Sequence, residues 1–365
     1  MASAPRKAFL VSHTHWDREW YQTFSRFRVY LMEVVDRVLD ALDDDPDFNH
    51  FVLDGQSAVL EDYLEAAPEQ RDRVNRLVRE GRLSVGPWYI LPDEFLVSGE
   101  ATVRNLHFGR KVAPLMRIQK VGYMPDSFGH LAQIPQILQL AGIDSFIFTR
   151  GMGAQDEDPG WLFRWAAPDG SEVLAVNQCD GYCNAGGLGF AEIWHAHTQR
   201  TADPAKAVAK VTDLFAKMAE KSGWDPALLN NGCDHFPPQQ EFGSILGALR
   251  ENWPDTAFHH GDFRDFLNAV REDAPDEDRP LITGELLGDA STRTERWIGL
   301  RKDGPLKHEL MRLFRDDPSA SVHAATRWTL QRLEQESEIR KAERELASNS
   351  FENARQWYVN QHGHT

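Results

Sequence analysis

The chain has 365 residues, of which 41% are hydrophobic, so it can bury a substantial core in one large α/β domain plus a smaller unit. The formal net charge of -16 argues against a nucleic-acid ligand or an anionic membrane surface and favours a neutral or cationic small molecule. No run approaches the roughly 18 apolar residues of a membrane span, and residues 1–7 are too short and polar for a secretory signal.

Strand-like and helical patterns alternate along the first 250 residues, an order that is typical of parallel sheets. The Asp54-Gly55 pair ends the second strand, and a Gly-rich segment over 151–189 is predicted as irregular. The predicted strands cover 8–12, 51–53, 83–85, 121–123, 146–148 and 227–231, and the predicted helices cover 31–42, 57–80, 100–112, 134–140, 203–221 and 238–251.

From about Asp317 the strand-like patterns stop, and charged helical sequence runs over 322–346. The run of charges over 338–345 is interpreted as a solvated helix face. We therefore expect an α/β domain over residues 1–290, followed by a helical region over 291–365 that is the start of a helical bundle.

The three cysteines, Cys179, Cys183 and Cys233, lie outside any paired Cys-x-x-Cys pattern. This spacing predicts neither a disulfide framework nor a thiolate metal site. Unpaired thiols fit a reducing compartment best, so we expect a cytoplasmic protein. The oligomeric state is not set by any pattern, and a homo-oligomer stays open.

The first motif with chemical content is His-Thr-His-Trp-Asp-Arg at 13–18, directly after the apolar strand over 8–12. Residues two apart on a strand share a face, so His15 and Asp17 can point at one ion. Imidazole and carboxylate together suit zinc or a similar divalent metal. The alternative is a satisfied polar turn at the end of a strand.

Two further motifs place a carboxylate just past a strand: Gly-Tyr-Met-Pro-Asp-Ser-Phe-Gly-His at 122–130, which contains Asp126, and Asn-Gly-Cys-Asp-His at 231–235, which contains Asp234. Either acid could merely cap a helix. Two strand-end acids in one cleft are also chemically sufficient for glycosidic bond cleavage, because one protonates the leaving oxygen and the other attacks or activates water. Other polar residues at strand ends strengthen this interpretation, namely Asp93, Glu94, Arg150 and His235.

Five motifs in consistent order over roughly residues 8–290 resemble glycoside hydrolase family 38, the family of α-mannosidases and bacterial mannosylglycerate hydrolases. They are HTHWDREWY at 13–21, VLDGQ at 52–56, GPWY at 86–89, GYMPDSFGH at 122–130 and NGCDH at 231–235. The resemblance implies an α/β fold, a seven-stranded β/α barrel-like catalytic domain with parallel strands, followed by a helical bundle. It also implies retaining hydrolysis of terminal α-mannosides with a bound divalent metal, usually Zn²⁺ and alternatively Co²⁺.

The resemblance also implies a role for individual residues. His15 and Asp17 match two metal ligands, Asp126 matches a residue that is both metal ligand and nucleophile, and Asp234 matches the general acid/base. The substrate-binding positions that it implies are Trp20, Phe128, Arg150 and His235. A retaining mechanism requires the two catalytic carboxyl groups to lie about 5 to 5.5 Å apart, and proton donation requires a raised pKa of Asp234.

The chain departs from the family near its carboxyl end. The family's fourth metal ligand is a histidine in a His-Asp pair, and this sequence has no His-Asp pair. The nearest match is His364, with Thr365 where Asp belongs. The chain also stops where family members continue, so it is either a fragment or a minimal form.

Three functions remain in play at this point. The first is an α-mannoside hydrolase, or alternatively a mannosylglycerate hydrolase of the same family. The second is a metal-assisted carbohydrate deacetylase, against which the nucleophile-like element at 122–130 argues. The third is an inactive carbohydrate-binding remnant, which predicts a weakly bound metal or none. All three take a carbohydrate ligand.

Overall fold

The computed structural model describes residues 4–112, 120–152, 159–191, 201–222, 226–287, 305–316, 320–332 and 335–347. The chain divides into two compact units, residues 1–288 and 289–365. The first unit contains all of the described strands, and the second contains three of the described helices.

The strands of the first unit form two sheets. The order of the first sheet is β3-β2-β1-β8, with β9 also paired to β1, and the order of the second is β10-β6-β7-β5-β4. The strands are β1 Lys7–His15, β2 Phe51–Val52, β3 Leu83–Ser84, β4 Gly122–Met124, β5 Ser145–Phe148, β6 Leu162–Ala166, β7 Glu172–Asn177, β8 Ala227–Asp234, β9 Ala257–His260 and β10 Leu281–Thr283.

The predicted α/β class is confirmed, but the seven-stranded barrel is not, because the described strands form two open sheets of five. The strands are also not all parallel, since β6 and β7 pair antiparallel. Residues 167–171 join these two strands, and a link of that length can reverse the chain but cannot form the crossover that parallel neighbours need. Both strands lie in the Gly-rich segment that was predicted to be irregular.

The helices cover the sheets in the first unit and make up the described part of the second. The helix predicted over 57–80 is in fact two helices, separated by a 3-10 turn at Pro68–Gln70. None of the described helices is long and apolar enough to cross a membrane. The helices are α1 Phe24–Asp44, α2 Ala58–Ala66, α3 Arg71–Glu80, α4 Gly99–Val112, α5 Ile134–Leu140, α6 Pro204–Ser222, α7 Phe242–Asn252, α8 Phe263–Asp273, α9 Pro305–Asp316, α10 Ala320–Arg332 and α11 Glu336–Ala347.

Strand β1 is the central support of the first sheet. It pairs with β8 over eight consecutive residues, with His13 opposite Gly232 and His15 opposite Asp234. It also pairs with β9 near its start and with β2 near its end, where His13 lies opposite Val52. Because β1 is buried along almost its whole length, its first part, residues 8–11, is a continuous apolar run rather than an alternating one.

Gly232 is required where β1 and β8 approach each other. A Cβ atom at this position would lie 1.9 Å from the carbonyl oxygen of His13, a backbone atom that cannot move aside. We expect Gly232→Ala to lower the free energy of unfolding by about 3 kcal/mol or more, since overpacking in a tight core displaces backbone. Urea unfolding followed by circular dichroism measures this change.

Gly247→Ala is the matched control, because a Cβ atom at Gly247 in helix α7 meets no atom within 4 Å. This control should stabilise the protein by about 0.4 to 1 kcal/mol. Equal stability of the Gly232 variant and the wild type would contradict the tight approach of the two strands.

Candidate active site

His15 ends β1, and Asp17 follows it at the same edge of the sheet. The Nε2 atom of His15 lies 3.6 Å from Oδ1 of Asp17. Burial alone would lower the pKa of His15, but the carboxylates of Asp54 and Asp17 raise it well above 6.5. The surroundings of this imidazole therefore favour positive charge beside Asp17.

Asp126 follows strand β4 and is paired with Arg150, which follows β5. The Nε and Nη2 atoms of Arg150 lie 2.7 Å and 2.6 Å from Oδ1 of Asp126. The guanidinium group also lies over the ring of Phe128, 4.7 Å from its centroid. Both contacts go to Oδ1, so Arg150 fixes the carboxylate without engaging Oδ2.

Two acidic residues hold the turn that carries Asp126. The backbone N–H of Phe128 donates to Asp93 at 3.2 Å, and the ring of His130 donates to Glu94 at 2.7 Å. Glu94 and His130 are almost completely buried. These contacts account for two of the strand-end acids seen in the sequence, which act as supports of the turn.

Asp234 ends β8 and accepts a hydrogen bond of 2.7 Å from the hydroxyl of Tyr182. Burial raises the pKa of Asp234 above its usual value, and Asp126 and Asp17 raise it further, while His15 and Tyr182 oppose the rise. The pairing of β1 with β8 sets His15 directly opposite Asp234, and Asp126 and Asp17 lie close enough to act on the charge of this carboxyl group. A carboxyl group with a raised pKa is suited to proton donation.

Cys183 and Cys233 form a disulfide bond, so the prediction that these cysteines are unpaired is wrong. The bond spans 50 residues between a loop and a strand, a spacing that no short motif reveals. Because two of the three cysteines are paired, the cysteines no longer argue for a reducing compartment. The sulfur atoms lie near a carboxylate oxygen of Asp234, but disulfide sulfurs are not the thiolates that bind metals. Cys179 is buried and takes no part in this disulfide.

Three aromatic side chains of the sequence motifs are exposed. Trp20 and Tyr21 are 60% and 61% exposed, and Phe128 is 44% exposed, as sugar-contacting rings would be. The Tyr21 hydroxyl lies 3.2 Å from Nδ1 of His235. The other ring nitrogen of His235 accepts from the backbone N–H of Asp17 at 3.2 Å, and burial lowers the pKa of His235 to about 4. His235 is therefore a neutral partner of Asp17 and Tyr21 near neutral pH.

Two residues of the site were not identified from the sequence. Tyr182 lies in the Gly-rich segment, where no pattern marks it. Asp54 was interpreted only as the end of a strand, but it is completely buried beside His15, with 3.3 Å between Nδ1 of His15 and Oδ2 of Asp54. The sequence did contain a signal for Asp54, because this residue lies in the VLDGQ motif at 52–56. The motif was recognised, but no role was assigned to Asp54.

The geometry of His15 and Asp17 fits a divalent cation. Two ligands about 2.1 Å from one tetrahedral ion lie about 3.4 Å apart, close to the 3.6 Å between His15 Nε2 and Asp17 Oδ1. Imidazole with carboxylate is also a common zinc donor set. The predicted fourth ligand, His364, lies outside the described residues.

The model of the glycosyl hydrolases family 38 N-terminal domain matches residues 5–286. The chain is 37% identical over 311 residues to a protein of Halalkalibacterium halodurans named "Putative mannosylglycerate hydrolase", covering 81% of this chain and 32% of that protein. It is 27% identical over 169 residues to an α-mannosidase of Saccharomyces cerevisiae, covering 45% of this chain and 15% of the yeast protein.

Among solved structures, an α-mannosidase from Enterococcus faecalis matches with a TM-score of 0.69 and 35% identity, over 77% of this chain and 30% of the other. The chain therefore spans about a third or less of the length of these relatives. The match of the family model extends from the first strand to the last strand of the first unit. The chain belongs to glycoside hydrolase family 38.

Proposed function

We propose that this chain carries the catalytic site of a metal-dependent retaining glycosidase that cleaves terminal α-mannosides. The observation that carries the proposal is the meeting of two kinds of group in one cleft. One is the His15–Asp17 pair, and the other is the pair of strand-end carboxyl groups, Asp126 and Asp234. A simple sugar-binding site has no need of a buried carboxyl group with a raised pKa.

Asp126 is the nucleophile in this proposal. Arg150 holds its Oδ1, so Oδ2 attacks the anomeric carbon and the bond from that carbon to the leaving oxygen breaks. The product of this step is a glycosyl ester on Asp126. The buried supports of its turn, Glu94 and His130, keep the attacking oxygen in a fixed direction.

Asp234 is the acid in the first step and the base in the second. Its raised pKa keeps a proton available for the leaving oxygen. Once ionised, the same carboxylate takes a proton from the water that attacks the glycosyl ester, which releases the sugar with its anomeric configuration retained. Tyr182 holds the carboxyl group in place through both steps.

His15, Asp17 and Asp126 would hold the metal, Zn²⁺ or Co²⁺, with His364 as a proposed fourth ligand. A bound divalent cation supplies chelation of the cis 2- and 3-hydroxyls of a mannoside, which orients the ring. The exposed rings of Trp20 and Phe128 would contact the sugar.

Mannosylglycerate is a second candidate substrate. The 37% identity to the protein of H. halodurans with that name favours it. Both substrates require the same cleavage of a mannosyl bond, and they differ in the group that leaves. The discriminating comparison is therefore kcat/KM for mannosylglycerate against that for 4-nitrophenyl α-mannoside, measured on the same preparation.

The test of the proposed function is metal content together with hydrolysis, on the purified 365-residue chain supplied with Zn²⁺ or Co²⁺. One bound metal with turnover of either substrate supports it. Metal binding with release of acetate from an acetylated sugar, and no mannoside turnover, would favour a deacetylase. Sugar binding without turnover of any substrate would favour the inactive remnant.

Tyr182→Phe is expected to change the pH dependence of hydrolysis. The Tyr182 hydroxyl donates to Asp234 and so favours its ionised form. Without this hydrogen bond the pKa of Asp234 rises further, so Asp234 stays protonated to higher pH. The alkaline limb of the kcat/KM profile then moves to higher pH. A shift of about one pH unit corresponds to the loss of a typical hydrogen bond of about 1.4 kcal/mol. An unchanged or downward limb would contradict the assignment of Asp234 as the acid.

A further inference from the structure

The carboxylate of Asp54 is buried and contacts the imidazole of His15. It takes no part in the glycosidic cleavage proposed above. It follows strand β2, which pairs with β1 in parallel with His13 opposite Val52. Two residues further along both strands, the same register brings Asp54 beside His15. The exposed fraction is 0% for Asp54 and 5% for His15.

Three N–H groups fix this carboxylate. The backbone N–H of Trp16 and the side-chain amide of Gln56 donate to Oδ2 at 2.9 Å and 2.7 Å, and the backbone N–H of Gly55 donates to Oδ1 at 2.6 Å. The orientation of this carboxylate is therefore set before any ligand binds.

The backbone at Asp54 is also unusual. Its φ angle is 106°, in a region that favours glycine and that residues with a side chain rarely adopt. Such a conformation persists only where the surrounding structure holds it, and it concentrates at functional sites. Here it occurs at the residue whose carboxylate contacts Nδ1 of His15.

The contact with His15 decides which ring nitrogen is free. Nδ1 of His15 lies 3.3 Å from Oδ2 and 3.5 Å from Oδ1 of Asp54. Because the carboxylate only accepts, Nδ1 carries the hydrogen and donates it. Nε2 is then the ring nitrogen that faces Asp17 and that would bind the proposed metal in place of a proton.

We propose that Asp54 is a positioning residue that sets the tautomer and the direction of His15 as a metal ligand. The inference rests on the proposed function, since it deepens the same site. A ligating histidine commonly donates its second N–H to a carboxylate, and removal of that partner typically costs 10 to 100-fold in metal affinity. Gln56 supports the arrangement by holding Oδ2 of Asp54.

Asp54→Asn in the full chain tests the inference. We expect about 10 to 100-fold weaker Zn²⁺ binding, measured by competition with a chromogenic chelator. We also expect a shift of the visible absorption bands of the Co²⁺-loaded protein, and loss of the low-field proton resonance of His15 Nδ1–H in the Zn²⁺-loaded protein. A residue that serves only folding would move none of these signals in the folded protein.

The matched control is Asp262→Asn. Asp262 is also a buried carboxylate with two backbone donors, at the start of helix α8, and it does not touch His15. Its variant should bind Zn²⁺ as tightly as the wild type. Should the Asp54 variant fail to fold, Gln56→Met removes one donor to the carboxylate and is expected to weaken metal binding to a smaller extent.

The outcomes separate the inference from the proposed function. If the wild type binds metal and hydrolyses a mannoside while the folded Asp54 or Gln56 variant keeps the wild-type affinity and Co²⁺ spectrum, the inference is wrong and the function stands. If the wild type binds no divalent cation, both are wrong. Weaker binding by the Asp262 variant as well would overturn the specific role of Asp54.

Discussion

Asp126→Asn is expected to lower kcat for any mannoside by about 10³-fold or more, because an amide cannot form the glycosyl ester. The substitution preserves the shape of the side chain and an oxygen that can accept from Arg150, so the turn should keep its structure. The measurement is steady-state hydrolysis of 4-nitrophenyl α-mannoside by the metal-loaded protein. Its companion is mass spectrometry of the wild type after reaction with a fluorinated mannosyl substrate that traps the ester.

Asp169→Asn is the control for that variant, since Asp169 lies exposed in the turn between β6 and β7 and should leave the rate unchanged. The trapped sugar should be found on the peptide that contains Asp126. A sugar on another carboxylate would show that the nucleophile is assigned wrongly. Full activity of the Asp126 variant would exclude a covalent mechanism through this residue.

Asp234→Ala is expected to lower kcat/KM by about 10² to 10⁴-fold for a substrate whose leaving group needs a proton, such as mannosylglycerate. A dinitrophenyl α-mannoside should lose much less in its first step, because its leaving group departs as a stable anion. The second step loses its base, so added azide should restore turnover and yield a mannosyl azide. Rates with the two substrates, with and without azide, measure these effects.

If the loss of rate depends on the leaving group, Asp234 is the acid that protonates the leaving oxygen. An equal loss with both substrates and no rescue by azide would indicate that Asp234 holds the site together instead of transferring a proton. The alkaline limb of the pH profile should also disappear in this variant, because the group with the raised pKa has been removed.

The sequence predicted the first half of the fold well, because apolar runs and helical spacing there are long and regular. It missed β6 and β7 in the Gly-rich segment, and it missed β9, α8 and β10, which follow the last predicted helix. Strand β9 has only four residues, and two of them are histidines. It is therefore too short and too polar to show the alternating hydrophobic pattern of a strand. Helix α8 did carry a readable signal, since Asp262 and Asp265 form a capping box at its start.

The position of a residue in the fold was predictable where it follows directly from a strand end, as with Asp17 after β1 and Asp126 after β4. It was not predictable where a side chain reaches the cleft from a loop, as with Tyr182. The disulfide between Cys183 and Cys233 depends on the fold that brings the loop to β8, so no local pattern contains it. The role of Asp54 depends on register between neighbouring strands, which the sequence does not state.

The pairing of β1 on both of its edges has a consequence for which residues of this chain can vary independently. One register sets His15 opposite Asp234, and the continuation of the other register brings Asp54 to the same imidazole. A shift of one residue in either register would turn these side chains to opposite faces of the sheet. The side chains of the candidate site therefore depend on the same two strand pairings. Trp20 and Phe128 lie outside this ladder and are exposed. Under the proposed function, substrate preference can therefore change through such residues while the groups that break the bond stay the same.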